Sequence, residues 1–560
     1  MRMTRQMAMM ASALALVLGA PAALMAAAPA QAATAAPAGP PQGRGNYQAL
    51  NAVWQEFLAW RDAKNPSGLP DFSPQILAKQ NRELAAFMAR VADMNVAGFS
   101  RAEQADWLAV RSKMAQHMFW LQVSRPFARD PGYYVDQMLY PPMTELPVSG
   151  ADKDRLQTRL RMMPLITDQA KRTLTEGAAD YADLALYNLE NADGVGHNHP
   201  WRPVPPAGVI GWFDDMAARA KDKQPDLLPD IMRARAAAID LRDWLKANRP
   251  KMTAKAGIGE ARYNWYLKNV KLLPYNTDQL YVLGARESQR LWSIHALEEH
   301  RNRKLPPLLP ATTKEDYDRR KAETKAAITK WLTDEEIITI PDDIGNLYVN
   351  VPWIERQGGR NFWEEVQYRD PSPDLFHATI PGHAFDGAMG KRDTHPIRSK
   401  IGDGVRAEGW GVYLEEAVQK LGFFADRPRT RELIDIFGIF RAVRVAGDID
   451  LQLNRKGVKD VVAEWRQLTP WLDENVARVD AEIYLRRPPG YGIGYTVGMI
   501  EMQKLLADVR FQEGERFELK RFHDAIMTKG RIPMSLIRYD MTGRDDEVKY
   551  FWRMDPLPPA

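Results

Sequence analysis

The chain has 560 residues, 45% of them hydrophobic and 26% charged, with a formal net charge of +4. That balance is ordinary for a globular protein, and so small a net charge gives no support for a nucleic-acid partner. Cysteine is absent, which excludes disulfides, thiolate metal sites and thiol nucleophiles and leaves His and carboxylates to hold any metal.

Residues 1–32 read as a signal peptide. Arg2 and Arg5 give a basic start, residues 7–18 are apolar, and Ala30-Gln31-Ala32 fits a small-x-small cleavage site. The apolar run is shorter than the roughly 20 residues that a membrane span needs. The expectation is therefore a periplasmic or secreted product cleaved near Ala32, with no stable membrane association. Cleavage takes away Arg2 and Arg5 and no acid, so the net charge falls from +4 to +2. Residues 33–45 form an Ala/Pro/Gly tether, read as disordered. No linker or solenoid repeat divides residues 46–560, which are expected to form one domain.

Helical periodicity begins at Asn46. Leu50, Val53, Trp54 and Phe57 share a face. Ser100 with Glu103 is a capping box, followed by Trp107, Val110, Met114, Met118 and Leu121 at helical spacing. His117 on that helix reads as a packing or surface residue. Residues 151–190 repeat the pattern, until GVGHNHPWRPVPPAG breaks it with a loop carrying His197 and His199, read as surface or cleft lining. Helices are expected to resume over 210–248 and 260–304. His295 and His300 are about 140° apart on the second and read as exposed. Residues 313–334 read as a solvated, highly charged helix. Between 337 and 376, β-branched and aromatic residues alternate between Pro and Gly breaks, and a few short strands are expected there, with another near Tyr550.

The stretch LFHATIPGHAFDGAMG holds His377 and His383, and VRAEGWGVYLEEAV holds Glu408 and Glu415. Glu408 and Glu415 are seven apart and share one helix face. The two His are six apart, which in an unbroken helix turns them about 240° from each other. Pro381-Gly382 lies between them and can loop out, bringing both rings to one side. Two imidazoles and a carboxylate are the usual protein ligands of a catalytic zinc.

These residues resemble the bacterial "domain of unknown function 885" family, a zincin-like helical family whose signature is HExxPGHHxQ followed by EGWAxYxE. The resemblance extends over GIGEARYNWYLKN, TRLRMMPLITDQAKRTLTEG and RFHDAIMTKGRIPMSLI. It implies a mainly α fold, one large zincin-like helical domain with two lobes around a cleft and a few short strands before the metal helix. It also implies zinc, held by His377, His383 and Glu408, and a peptide or small amide or ester substrate. The family has Glu after the first His, where this chain has Ala378, so the general base that takes a proton from the metal-bound water is missing. Asp386, one helical turn after His383, is the nearest substitute. Glu415 is another, although as the second motif's Glu it more readily orients a ligand.

Further helices are expected at 427–453, 457–466 and 470–485. After RRPPGYGIGYTVGM, Tyr495 occupies the family's tyrosine slot by resemblance, and His523 follows. A phenol and an imidazole are suited to stabilising an oxyanion. Arg510 and Arg538 are candidates to pair with a substrate carboxylate. Three functions follow: a secreted zinc metallopeptidase-like hydrolase of reduced or altered activity, a metal-binding pseudoenzyme that holds peptides, or a repurposed metal-dependent amide or ester hydrolase.

Overall fold

The computed structural model describes residues 39–559, except 66–67, 192–198, 201, 203, 348–350 and 356–358. The expected signal peptide and His197 lie outside the described residues. The end of the expected tether is docked rather than free: Gly43 and Arg44 donate to the carbonyls of Met94 and Asp93 at 3.0 and 2.7 Å, and Ala97 donates to Pro41 at 3.0 Å.

Helices pack into two lobes. The first is built from five, Gly132–Leu139, Gly150–Thr173, Ala179–Glu190, Gly208–Lys223 and Leu228–Asn248. Leu160, Met163, Phe213, Met216, Ile231 and Leu241 meet in its core. The helical stretch expected over 210–248 divides at Gln224. Proline lacks an amide donor and pushes the residue before it out of the α region, and Gln224 sits at φ −161° before Pro225. Its side-chain amide bonds both the N–H and the carbonyl of Val148, at 2.9 and 2.8 Å.

The second lobe carries the motifs. The elements that frame them are α1 (Thr277–Asn302), α2 (His383–Arg392), α3 (Gly404–Lys420), α4 (Pro428–Gln452), α5 (Ile493–Glu513) and α6 (Leu519–Thr528). Helix α4 is buried on every side, so its charged residues must find partners inside the protein. Helices α3 and α5 run against each other with backbones almost touching: a Cβ on Gly498 would lie 2.1 Å from the Val405 carbonyl oxygen. The Ser100–Glu103 capping box forms as expected, and the charged helix appears as Lys314–Asp334. His300 is exposed, but His295 is not; it is 3% exposed and packs edge-on against Trp292.

The expected strands are absent among the described residues. Only isolated bridges pair extended backbone, and near Tyr550 there is a short 3-10 turn, Val548–Tyr550. Side chains take the place of a partner strand. The Thr339 amide donates to Asp524 at 2.8 Å, and the Tyr368 hydroxyl satisfies both the Ile354 amide and the Pro352 carbonyl at 2.9 Å. Ile337 and Ile338 plug the core. Alternation here reflects anchoring of extended backbone.

Candidate metal centre

His377 lies in a π-helical turn, Leu375–Thr379, that follows directly on Ser372–Asp374. Pro381-Gly382 then separates it from His383, the first residue of α2. The link is pinned by Trp410, whose indole N–H donates to the Pro381 carbonyl at 2.8 Å. The two imidazoles end 4.6 Å apart, ring centre to ring centre. The loop-out inferred from the six-residue spacing is what turns them together.

Glu408 on α3 completes the group. Its Oε2 lies 3.5 Å from His377 Nε2 and 3.3 Å from His383 Nε2, and ligand atoms of all three residues fall within 4.8 Å of one another. Donors bonded to one tetrahedral zinc at about 2.0–2.2 Å are separated by about 3.3–3.6 Å. The donor set fits zinc, and the two distances to Glu408 match that spacing. His377 and Glu408 are buried, while a third of the His383 side chain is exposed, so the group opens on the His383 side.

The surroundings fix each member. His377 Nδ1 lies 2.8 Å from Glu415 Oε1 on the same face of α3, the arrangement by which a carboxylate orients a ligating imidazole. Arg441 on α4 donates to Glu415 Oε2 at 2.7 Å and lies 3.3 Å from His377 Nδ1. Gly411 makes room for the ring: a Cβ there would stand 2.6 Å from His377 Cε1. Tyr491 donates to Glu408 Oε1 at 3.0 Å. It is carried on a loop whose Gly492 amide bonds Asp448 of α4 at 2.5 Å. Burial alone would raise the Glu408 carboxyl, but the two imidazoles hold it well below the usual carboxylate range. Burial and Arg441 press the His377 imidazole down, and Glu408 and Glu415 nonetheless hold it above its ordinary value.

Tyr495 is brought to the group, its ring stacked 6.5 Å from that of His377, with Arg444 4.7 Å over the Tyr495 ring. Burial, reinforced by Glu408, keeps its phenol protonated and able to donate. His523 is not brought there. It packs against Trp410 and Tyr413, away from the α3 face that carries Glu408 and Glu415, and both ring nitrogens are engaged, with Tyr413 Oη at 2.8 Å and the Ile337 carbonyl at 2.7 Å. Burial lowers its pKa to about 4. A neutral, locked, buried imidazole has no free donor for an oxyanion, and the expected role for His523 is withdrawn. Asp386 is likewise committed, in a buried pair with Arg406 at 2.9 Å. Arg538 is paired with Asp508 and Asp546 at 2.7 and 2.8 Å, and Arg510 turns to the Gly514 carbonyl. None of these three is available as base or carboxylate anchor. His117 packs among Phe57, Trp60 and Trp120, and His199 lies edge-on to Trp212.

Motif reading does not find Arg441, Tyr491 or Asp374. Arg441 carries a signal: in FGIFRAVRVAGDID, charges punctuate an otherwise apolar helix and must pair inside. Asp374 is half-buried one turn before Ala378, and residues four apart share a helix face. Burial, reinforced by the Glu415 charge, pushes its carboxyl up to about 6 against the pull of His377, Arg441 and His383.

A cleft of about 1120 Å³ lies between the lobes, walled by Tyr133, Asp136 and Trp212 on one side and Gln116, Tyr266 and Arg487 on the other. The triad is not among its walls. The two meet through Arg487, which lies 5.0 Å over the Tyr491 ring, the phenol that donates to Glu408.

The model of a family described as bacterial protein of unknown function (DUF885) matches residues 57–299 and 363–541. No curated protein sequence matches the chain. Solved structures share its fold, two of them described as lipoproteins. One, from Shewanella oneidensis, is described as "a putative lipoprotein of unknown function". It is 15% identical, with a TM-score of 0.66 over 89% of this chain and 100% of that one. The other, "the putative lipoprotein from Colwellia psychrerythraea", is 14% identical, with a TM-score of 0.65 over 89% of this chain and 98% of that one. With most of its length matched by one family, the chain belongs to the bacterial proteins of unknown function grouped as DUF885.

Proposed function

We propose that the protein is an exported, zinc-dependent hydrolase acting on peptides. The observation that carries this reading is the convergence of His377, His383 and Glu408 within 4.8 Å, with Glu415 behind His377 and Tyr495 beside it. When bound, zinc supplies Lewis-acid polarisation of a carbonyl and lowers the pKa of a water. The chain's own residues supply the rest. Glu415 and Arg441 fix the orientation of His377. Tyr495 donates its phenol proton to the oxygen that gains charge. Asp374 accepts the proton of the attacking water at its carboxylate, in place of the carboxylate that Ala378 lacks. A carboxyl poised at about 6 is ionised at neutral pH and still basic enough for that task.

Asp374→Asn tests this assignment. Turnover falls about 10²–10⁴-fold while zinc content is unchanged, and Ala378→Glu in the same background restores part of it. In the unmutated enzyme the rate rises with pH through about 6, as Asp374 loses its proton. Full activity in Asp374→Asn would remove Asp374 from the mechanism. The methyl of Ala378 favours one other reading, a metal-centred protein that binds peptides without cleaving them. It predicts peptide binding by the zinc-loaded protein with no hydrolysis by any of these variants.

Export is supported by the basic-apolar-AQA pattern and by the fold shared with proteins described as lipoproteins. None of the 560 residues is Cys, so the chain offers no thiol for a thioether-linked lipid. None of the described helices is long and apolar enough to cross a membrane. Intact mass of protein exported by its native host checks the proposal: the expected product begins near Ala33, and a mass that retains residues 1–32 contradicts it.

A further inference from the structure

The cations of the cleft are nearly all spoken for. Arg61 pairs with Asp62 at 2.7 Å. Arg202 pairs with Glu145 and Asp215 at 2.8 and 3.0 Å. Arg486 pairs with Asp130, Asp136 and Glu482 at 2.9, 2.8 and 2.7 Å. Arg129 and Lys113 donate to backbone carbonyls of Lys255 and Gly402 at 2.6 and 2.8 Å. Arg487 differs: it is exposed on the cleft wall, and among the described residues its guanidinium has neither an ion-paired carboxylate nor a backbone carbonyl to donate to. The acid that senses it, Asp480, is already bound to Arg444 at 2.5 Å.

Its backbone is set by its neighbours. Arg487 closes the helix Glu474–Arg486 with extended backbone, φ −77° and ψ 170°, its amide donating to Ile483 at 2.9 Å. The residues that follow are Pro488 and Pro489, and a residue before proline is confined to that extended region. The guanidinium rests 5.0 Å over the Tyr491 ring, and the hydroxyl of that ring donates to Glu408 at 3.0 Å. One phenol thus separates a free guanidinium from the metal group.

We infer that Arg487 is a specificity residue that holds a carboxylate of the peptide at the triad end of the cleft. The carboxylate is either the chain's C-terminus or an acidic side chain near the reacting bond. A planar guanidinium suits bidentate carboxylate binding, and each residue of extended chain spans only about 3.3–3.6 Å. A carboxylate held here lies one phenol, that of Tyr491, from the metal group.

The inference rests on the peptide-site reading above, and its test separates the two. Labelled mixed-sequence hexapeptide pools are made with a free or an amidated C-terminus, and each with Glu or Gln as the penultimate residue. Their affinity for the zinc-loaded full chain is measured by anisotropy, with unmutated protein and Arg487→Ala compared at equal zinc content. A charge-assisted bidentate contact is expected to favour the anionic pool about 10–100-fold. Arg487→Ala abolishes that preference and leaves the amidated Gln pool unchanged. Preference for the free terminus identifies the α-carboxylate as the anchor, and preference for Glu identifies the side chain. Equal binding of all four pools, or a preference that survives Arg487→Ala, overturns this inference alone. No binding of any pool overturns it together with the peptide reading.

Discussion

His377 is gripped from every side that the fold can reach. Glu415 and Arg441 hold its Nδ1 edge at 2.8 and 3.3 Å, Glu408 faces Nε2, and Gly411 lies against Cε1 with no room for a side chain. Orientation of a ligand by such neighbours is worth about 10–100-fold in metal affinity. Gly411→Ala places a methyl 2.6 Å from the ring carbon, and the ring rather than the helix backbone has to move. The expected outcome is a 10–100-fold loss of zinc affinity with the helical circular-dichroism spectrum retained. Zinc titration against a competing chelator reads it, and unchanged affinity would show that the ring's position is not what the site depends on.

At the scale of elements, the site depends on how α3 and α5 cross. Gly498 lets α5 lie on the Val405 carbonyl, which sets Tyr491 and Tyr495 over Glu408 and His377. Gly498→Ala forces a Cβ to 2.1 Å from that carbonyl, an overpacking expected to cost about 1–3 kcal/mol, and urea unfolding measures it; stability equal to the parent chain would contradict the close crossing. Much of this was legible in the sequence. Helical period marked α3, seven-residue spacing put Glu408 and Glu415 on one face, and Pro381-Gly382 between two histidines announced a loop-out. What was not legible depends on elements distant in sequence. Alternation between 337 and 376 resembles strand because nothing local shows that Asp524 and Tyr368 satisfy the Thr339 and Ile354 amides. His523 looked like a catalytic imidazole because its partners, Tyr413 and the Ile337 carbonyl, come from two other segments. His295 looked exposed because the α4 surface that buries it lies more than a hundred residues on.

At the scale of the molecule, two helical lobes enclose a cleft whose arginines and lysine are held by carboxylates or backbone carbonyls among the described residues, except Arg487, which lies over the Tyr491 ring. Helix α4 links these parts. It is buried throughout, and it sends Arg441 to the His377 pair, Arg444 over Tyr495 and Asp448 to the loop that carries Tyr491. That arrangement is expected to hold a metal. The most direct test is the zinc content, by elemental mass spectrometry, of the full chain purified without added chelator, beside His377→Ala and His295→Ala. One zinc per chain is expected in the parent protein and in His295→Ala, and essentially none in His377→Ala. A parent protein free of zinc after saturation and desalting, or a His377→Ala variant that keeps one zinc per chain, would contradict it.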